Sequence, residues 1–579
     1  MALFAPAMPR TRFRLTEVII LLFLFTLLCS VISLGAGMDV DFSPNDQPEI
    51  SLDPSMLPYY AGRSLLRMFI AFGASLIFTL VYGYVAAKNR TAGKVMIPLL
   101  DMLQSVPVLG FLSVTIVGFM ALFPGKLLGV ECASIFAIFT GQAWNMAFSF
   151  YNSLTTIPKD LQEAADVLRM NWWQRFIRLE VPFSMIGLVW NSMMSFGGGW
   201  FFLAASEAIS VLGENIRLPG VGSYLAAAIE AGDMTAIIAS IITMIVMIIA
   251  VDQFFWRPIV VWSQRFKMEL TESTDAPTSF VYTILHKSSV AAIFTKLLLL
   301  PSGKLLNWLF NHLANFSGNT AKNIQSISTP FTARFVKLLF AICFLWFIKN
   351  PAWEAVQLIS TLDSNSFWQV IILGALTLLR VLLAVLLGAL WTIPVGVWIG
   401  LNPKWAKFLQ PLIQICASFP ANMLFPFATI LFIKYQINFE CGSVALMMLG
   451  TQWYILFNVI AGTMSIPNDL HEAGAIFKLR GWRKWRTLIL PSIFPFLITG
   501  AITASGGAWN ASIVSELVSW HNDKLAATGL GAYISKVTEQ GDWAGIIWGI
   551  TVMCLFVVTI NRFVWRRLYR LAEVKYHLD

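Results

Sequence analysis

Few residues in this 579-residue chain have the types and spacing that chemistry needs. A carboxylate precedes a cysteine twice, as Glu131–Cys132 and Glu440–Cys441, a pairing that could ligate a metal. The six cysteines form no CxxC and no metal-ligand spacing, and most lie in apolar runs, so packing is the stronger reading. Five histidines supply neither HExxH nor a Ser/His/Asp set, and no GxxxxGK(S/T) loop occurs. The expectation is a chain with no catalytic residues, no metal and no bound cofactor. If ATP and magnesium drive it, a separate subunit must hold them. Arg67, Arg380, Glu207 and Glu516 sit near the ends of apolar runs, where ionisable groups are functional candidates. For the arginines, snorkelling or helix packing is the plainer role. For the glutamates it is a helix-end contact, with an outer gate as the alternative.

The densest charge lies in IPKDLQEAADVLRMNWWQRFIRLEVP, residues 157–182, and again in IPNDLHEAGAIFKLRGWRKWRTLILP, residues 466–491. Asp160 with Glu163, and Asp469 with Glu472, have N-cap and N3 spacing, which predicts a capping-box start to a short helix. Leu161, Ala164, Ala165 and Leu168 then form a small apolar stripe, followed by basic residues, and Pro182 or Pro491 opens the next helix. One such segment reads as a solvated interfacial hairpin. Two at matching positions point to a docking surface of the helix-in-groove kind.

The elements that position these segments are membrane spans. The chain is 57% hydrophobic and 12% charged. Apolar runs near 17–35, 64–87, 96–122, 132–154, 183–206 and 235–256, and near 335–349, 368–400, 409–433, 442–463, 492–515 and 543–562, predict about twelve transmembrane helices. The net charge of +9 does not point to nucleic acid, because the basic residues cluster in short loops. With a cytoplasmic N-terminus, Arg10, Arg12 and Arg14, then Lys88, Arg90 and Lys94, then Lys404 and Lys407, and finally Arg562, Arg566, Arg567 and Arg570 all fall inside. The acidic loop 35–62 falls outside, and both termini are cytoplasmic. Residues 17–34 are too long for a signal-peptide core and read as a retained helix.

The chain repeats itself. Pro158, Asp160, Glu163, Ala164, Trp173, Leu179 and Pro182 recur as Pro467, Asp469, Glu472, Ala473, Trp482, Leu488 and Pro491, all at one offset. Gly141, Trp144, Trp200 and Glu207 recur as Gly450, Trp453, Trp509 and Glu516. Arg67, Thr79, Gly83 and Pro107 recur as Arg380, Thr392, Gly396 and Pro420 at a slightly longer one. Six spans per half return the chain to its starting side, so the copies are parallel and enclose a pathway at their interface. The expected divisions are a first repeat at 1–265, a connector at 266–333 and a second repeat at 334–579. The connector reads as a cytoplasmic, interfacial pair of amphipathic helices, since Lys296, Pro301 and Lys304 interrupt its apolar part.

At Glu163–Ala164–Ala165 with Pro182, and Glu472–Ala473–Gly474 with Pro491, the segments resemble the EAA loop of ABC importer permeases, the inner-membrane components of binding-protein-dependent transport systems. The whole chain is similar to a tandem fusion of two such domains. LPGVGSYLAAA at 218–228 and TGLGAYISK at 528–536 resemble the branch that serves nitrate, sulfonate, taurine and bicarbonate. The resemblance implies a fold of the type I importer permease kind in the bacterial inner membrane. It makes Asp160, Glu163, Ala164, Ala165, Asp469, Glu472, Ala473 and Gly474 the coupling residues for two ABC ATPase subunits, and near-repeated loops favour identical ones. It also implies an extracytoplasmic binding protein as partner, and a pathway lined by the fifth span of each half. On that basis Ser195, Gly198, Trp200, Ser505, Gly507 and Trp509 are pathway candidates, with Glu207 and Glu516 at the gate. The family has glycine where Arg169 and Lys478 stand here, so a different turn is expected at both. A secondary transporter with parallel six-span halves is the alternative, disfavoured by how few charges are deeply placed and by the paired loops.

Overall fold

The computed structural model of the chain describes residues 15–42, 49–105, 107–211, 214–266, 279–288, 296, 300–305, 307–312, 346, 349–350, 353–520 and 523–575. The span expected at 335–349 and much of the connector lie outside the described residues.

Apolar runs become helices where their length demands it. Leu15–Ala36, Leu57–Lys88, Leu128–Thr155, Val181–Glu207 and Met234–Val251 form in the first half. Ser364–Gly400, Phe439–Met464, Leu490–Ser515 and Trp543–Ile560 form in the second. In hydrocarbon every backbone polar group must be satisfied within the segment, which a helix does alone. Six of the described helical stretches are long and apolar enough to cross a membrane, and seven if one bent pair is a single span. The chain is an all-α polytopic membrane protein built from two parallel repeats.

The third span of each half differs from expectation. The run 96–122 divides into Arg90–Ser105 and Val108–Leu122, and 409–433 into Pro403–Ser418 and Phe425–Lys434. The second pair is bent by 79°. Pro107 and Pro420 cause the breaks: proline has no N–H and drives the preceding residue out of the helical region, as Phe419 shows with ψ 126°. Each broken span crosses to the other half. Val108–Leu122 packs on Leu490–Ser515, Leu530–Gln540 and Trp543–Ile560, and Pro403–Ser418 packs on Val181–Glu207 and Met234–Val251. Leu112 and Ile116 share one core with Ile513 and Val552. The Val108 N–H donates to Asn510 Oδ1 at 2.8 Å. The halves therefore interlock.

Two short antiparallel hairpins add to the all-helical expectation. Ala208–Val211 pairs with Glu214–Arg217, and Leu517–Trp520 with Asp523–Ala526. Each follows directly on Glu207 or the Glu516 turn and returns the chain to that glutamate: Leu218 N–H donates to Glu207 O and Ala527 N–H to Glu516 O.

Candidate coupling loops and translocation cavity

The EAA-like segments form the short helices Lys159–Val167 and Asn468–Ile476. Both begin one residue after a proline with ψ near the extended value, Pro158 at 142° and Pro467 at 143°, and no side chain caps either. The expected capping boxes at Asp160/Glu163 and Asp469/Glu472 are therefore absent. The Pro158 carbonyl already accepts from Gln162 N–H at 3.2 Å, so the helix starts ahead of Asp160 and leaves it in the first turn. There its charge still faces the positive helix end. A capping box does form further on, where Asn171 and Gln174 bond reciprocally at the start of Trp172–Arg175.

Asp160, Glu163, Ala164, Asp469 and Glu472 are exposed, while Ala165 and Gly474 are buried and Ala473 is half-buried. Each helix thus turns one small residue inward and its carboxylates outward. A Cβ on Gly474 would meet Leu488 Cδ2 at 3.2 Å. The helices end on a left-handed residue, Arg169 at φ 48° and Lys478 at φ 51°. Met170 N–H then bonds back to Ala165 O, and Leu479 N–H to Gly474 O, which closes the helix ends. The turn is the left-handed one that glycine favours. The side chains adopt it at a cost of about 1–2 kcal/mol each.

Beyond the turn the two copies part company. Trp173 stacks on Phe310 of the connector, with ring centroids 4.3 Å apart and planes at 23°. Its Nε1–H donates to Asn307 Oδ1 at 3.1 Å, and Asn171 Nδ2 donates to Asn311 Oδ1 at 3.0 Å. Residues 300–305 and 307–312 are helical there. In the second copy Trp482 is 73% exposed, with Ile476 and Phe477 exposed beside it.

The glutamates singled out at the helix ends belong to buried ion networks. Arg67 binds Glu131 Oε2 through Nε at 2.5 Å, Glu207 Oε1 through Nη1 at 2.7 Å, and Pro219 O at 2.9 Å. Arg63 also pairs with Glu131. Ser64 and the Gly222 N–H hold Glu207. The second half repeats the plan: Arg380 pairs with Glu440 and with Glu516 at 3.0 Å, and Thr377 and the Gly531 N–H bond to Glu516. A Cβ on Gly220 or Gly529 would overlap the Glu207 or Glu516 carboxylate, which is why glycine precedes these helices. Each network thus joins three residues that recur in the sequence separately. Glu131 is taken by two arginines, and neither Glu207 nor Glu516 lines the central cavity.

That cavity has a volume of about 190 Å³ and walls from both halves. Of the pathway candidates, Gly198, Ser505, Gly507 and Trp509 line it. Ser195 is buried and accepts from Asn145 Nδ2 at 3.3 Å, while Trp200 faces a much smaller crevice with Trp256. The glycines do not interrupt their helices. They admit neighbours: a Cβ on Gly197 would meet Ser418 Oγ at 2.7 Å, and one on Gly198 would meet Tyr454 Oη at 3.2 Å. Asn145, Tyr454, Asn510 and Trp565 also line the cavity and were not singled out in the sequence. Recurrence alone would have marked Trp565, which repeats Trp256 at the offset linking Trp200 to Trp509.

Residues 79–255 and 392–573 each match the family described as binding-protein-dependent transport system inner membrane component. The chain is 26% identical over 203 residues to the bicarbonate transport system permease protein CmpB of Synechococcus elongatus, covering 35% of this chain and 68% of the relative. It is 24% identical over 202 residues to the nitrate import permease protein NrtB of Leptolyngbya laminosa, covering 35% and 67%. It is 26% identical over 188 residues to the taurine transport system permease protein TauC of Escherichia coli, covering 32% and 64%. With two matched regions, an outward-facing loop helix in each and a shared cavity between them, the chain belongs to the ABC importer permeases of binding-protein-dependent transport, with two family domains in one polypeptide.

Proposed function

We propose that this permease carries a small anion inward across a bacterial inner membrane, powered by two ABC ATPase subunits of one kind docked on the helices Lys159–Val167 and Asn468–Ile476. The supporting observation is that both helices turn Ala165 or Gly474 inward and Glu163 or Glu472 outward, each ending on the same left-handed turn. ATP and magnesium reside on the partners. An extracytoplasmic binding protein delivers substrate to the opposite face, and both termini are cytoplasmic. Reclosing of the ATPases moves the two loop helices together and shifts the interlocked halves around the central cavity. Such a shift requires each partner to contact the two states differently. The anion class is supported by the bicarbonate and nitrate systems named for two of the relatives.

The test is purification from native membranes in mild detergent, wild type beside Glu163→Ala/Glu472→Ala. An ABC ATPase should accompany the wild type and be lost or uncoupled in the double variant. Its absence from the wild type, with uptake following an ion gradient, would overturn the reading.

A further inference from the structure

We infer that the second half carries a docking surface for anionic phospholipid head groups, where the loop at 478–486 meets the last described helix, Arg566–Lys575. The equivalent end of the first half does not. The inference goes beyond the importer reading and takes from it only that this face is cytoplasmic.

The halves differ in which cations have partners. In the first half three carboxylates neutralise cations at this end: Asp166 pairs with Arg175, Glu180 with Lys88, and Asp252 with Arg257 at 3.1 Å. At the repeat offset all three positions are neutral, as Ala475, Ile489 and Asn561. Added cations widen the difference, since Arg480, Arg483 and Arg562 stand where the first half has Asn171, Gln174 and Gln253. Residues 157–182 hold four basic and four acidic side chains, whereas 466–491 hold five and two. Residues 252–266 hold two and one, whereas 561–575 hold five and one. Among the described residues, Arg480, Arg483, Arg486, Arg566, Arg567 and Arg570 are all exposed and none is in an ion pair. The second half therefore presents an uncompensated positive surface.

The fold brings the two basic stretches together at the membrane edge. The π-helical turn Trp485–Ile489 leads into the span Leu490–Ser515, and Asn561–Trp565 follows the span Trp543–Ile560. Ile489 and Trp565 share one core, with Trp485 and Leu568 packed against it. Arg566–Lys575 packs on Leu490–Ser515. Trp482 and Phe563 are exposed among these cations, and the Arg567 guanidinium lies over the Phe563 ring, 5.9 Å from its centroid. Exposed aromatic rings of this kind suit the membrane–water interface. A basic cluster beside the end of a span attracts anionic lipid, whereas a zwitterionic head group brings its own ammonium. The loop helix Asn468–Ile476 keeps Asp469 and Glu472 and ends before the basic stretch begins. That stretch runs into a span, so the bilayer is the surface it meets.

The test uses the full chain in a neutral detergent, titrated with phosphatidylglycerol or phosphatidylcholine, with bound lipid counted by native mass spectrometry. Phosphatidylglycerol should bind saturably and more tightly than phosphatidylcholine, and sodium phosphate should not displace it. Arg567→Gln and Arg570→Gln, both at exposed positions, should each weaken phosphatidylglycerol binding about fivefold, the contribution of one basic residue near an anionic surface. Ala475→Asp restores, at an exposed position, the carboxylate that Asp166 supplies in the first half, and should weaken binding by a similar factor. Arg178→Gln, at an exposed cation of the first half, should leave it unchanged. Equal binding of the two lipids, an equal loss with Arg178→Gln, or displacement by phosphate overturns the surface. If the arginines seat a protein instead, the variants lose a co-purifying ATPase while the two lipids bind alike, which overturns it too. Because the titration needs no ATPase, a failure of the importer reading is seen separately, in the co-purification.

Discussion

The two ion networks are built on one plan but balanced differently, and this makes the same substitution costly in one half and mild in the other. The first contains two arginines and two glutamates: Arg63, Arg67, Glu131 and Glu207, each at most 1% exposed. The second has one arginine, because Leu376 stands where the first has Arg63, and its Glu440 is 42% exposed. Glu131→Gln leaves two buried guanidiniums against the single carboxylate of Glu207. Removing one partner of a buried pair costs about 3–5 kcal/mol, since the other charge stays in low dielectric without compensation. Glu440→Gln leaves Arg380 paired one-to-one with Glu516, and a half-exposed pair contributes only about 0–1 kcal/mol. Adding Arg63→Leu to Glu131→Gln recreates the one-arginine pattern of the second half and should recover most of the loss. The assay is thermal unfolding of the detergent-purified chain by intrinsic fluorescence, comparing Glu131→Gln, Glu440→Gln and Arg63→Leu/Glu131→Gln. Equal losses for the two single variants, or a double variant worse than Glu131→Gln, would refute the charge-balance argument.

Arg169→Gly and Lys478→Gly should each raise stability by about 1 kcal/mol by relieving a left-handed backbone, visible as a higher unfolding midpoint; a lower one counts against the strain. Gly220→Ala should destabilise by about 2 kcal/mol or more, because its Cβ displaces the Glu207 carboxylate from Arg67 and Ser64, whereas Gly118→Ala, which has open space around it, should be neutral in the same melting assay. Phe310→Ala removes a stacked aromatic pair worth about 0.5–1.5 kcal/mol, so hydrogen exchange should quicken at 171–175 and stay unchanged at 480–484. Outside the spans, the Ser55 N–H donated to Asp53 Oδ1 holds that carboxyl below its usual range. The folded value lies below the unfolded one, so the cap persists above ordinary carboxylate pH and is lost as acid protonates it. Asp53→Asn should remove this acid sensitivity from local exchange at 54–57.

The repeat, the long helices and the loop helices were legible because each leaves a local mark: apolar length, charge against an apolar background, and recurrence. The rest depends on contacts between distant segments, which leave no local mark. Pro107 and Pro420 are visible as a recurring pair, yet linear spacing does not say whether a proline kinks a helix or breaks it. The hairpins after Glu207 and Glu516 are four-residue strands, too short for a period to register. Asp160 looked like an N-cap because the spacing to Glu163 fits, but Pro158 starts the helix first. Arg67, Glu131 and Glu207 recurred individually, and nothing in linear spacing says that three such residues converge. Trp565 passed unnoticed because an indole beside apolar neighbours looks like core until its N–H is found without an acceptor.

The stack of Phe310 on Trp173 gives the molecule a left and a right. A permease assembled from two identical chains presents two identical seats, and any change in one is imposed on the other. Here the loop at Trp173 packs on the segment that joins the halves, while among the described residues Trp482 beside the second loop is exposed. One polypeptide that carries both domains lets its two loops differ, which two copies of a single chain cannot do.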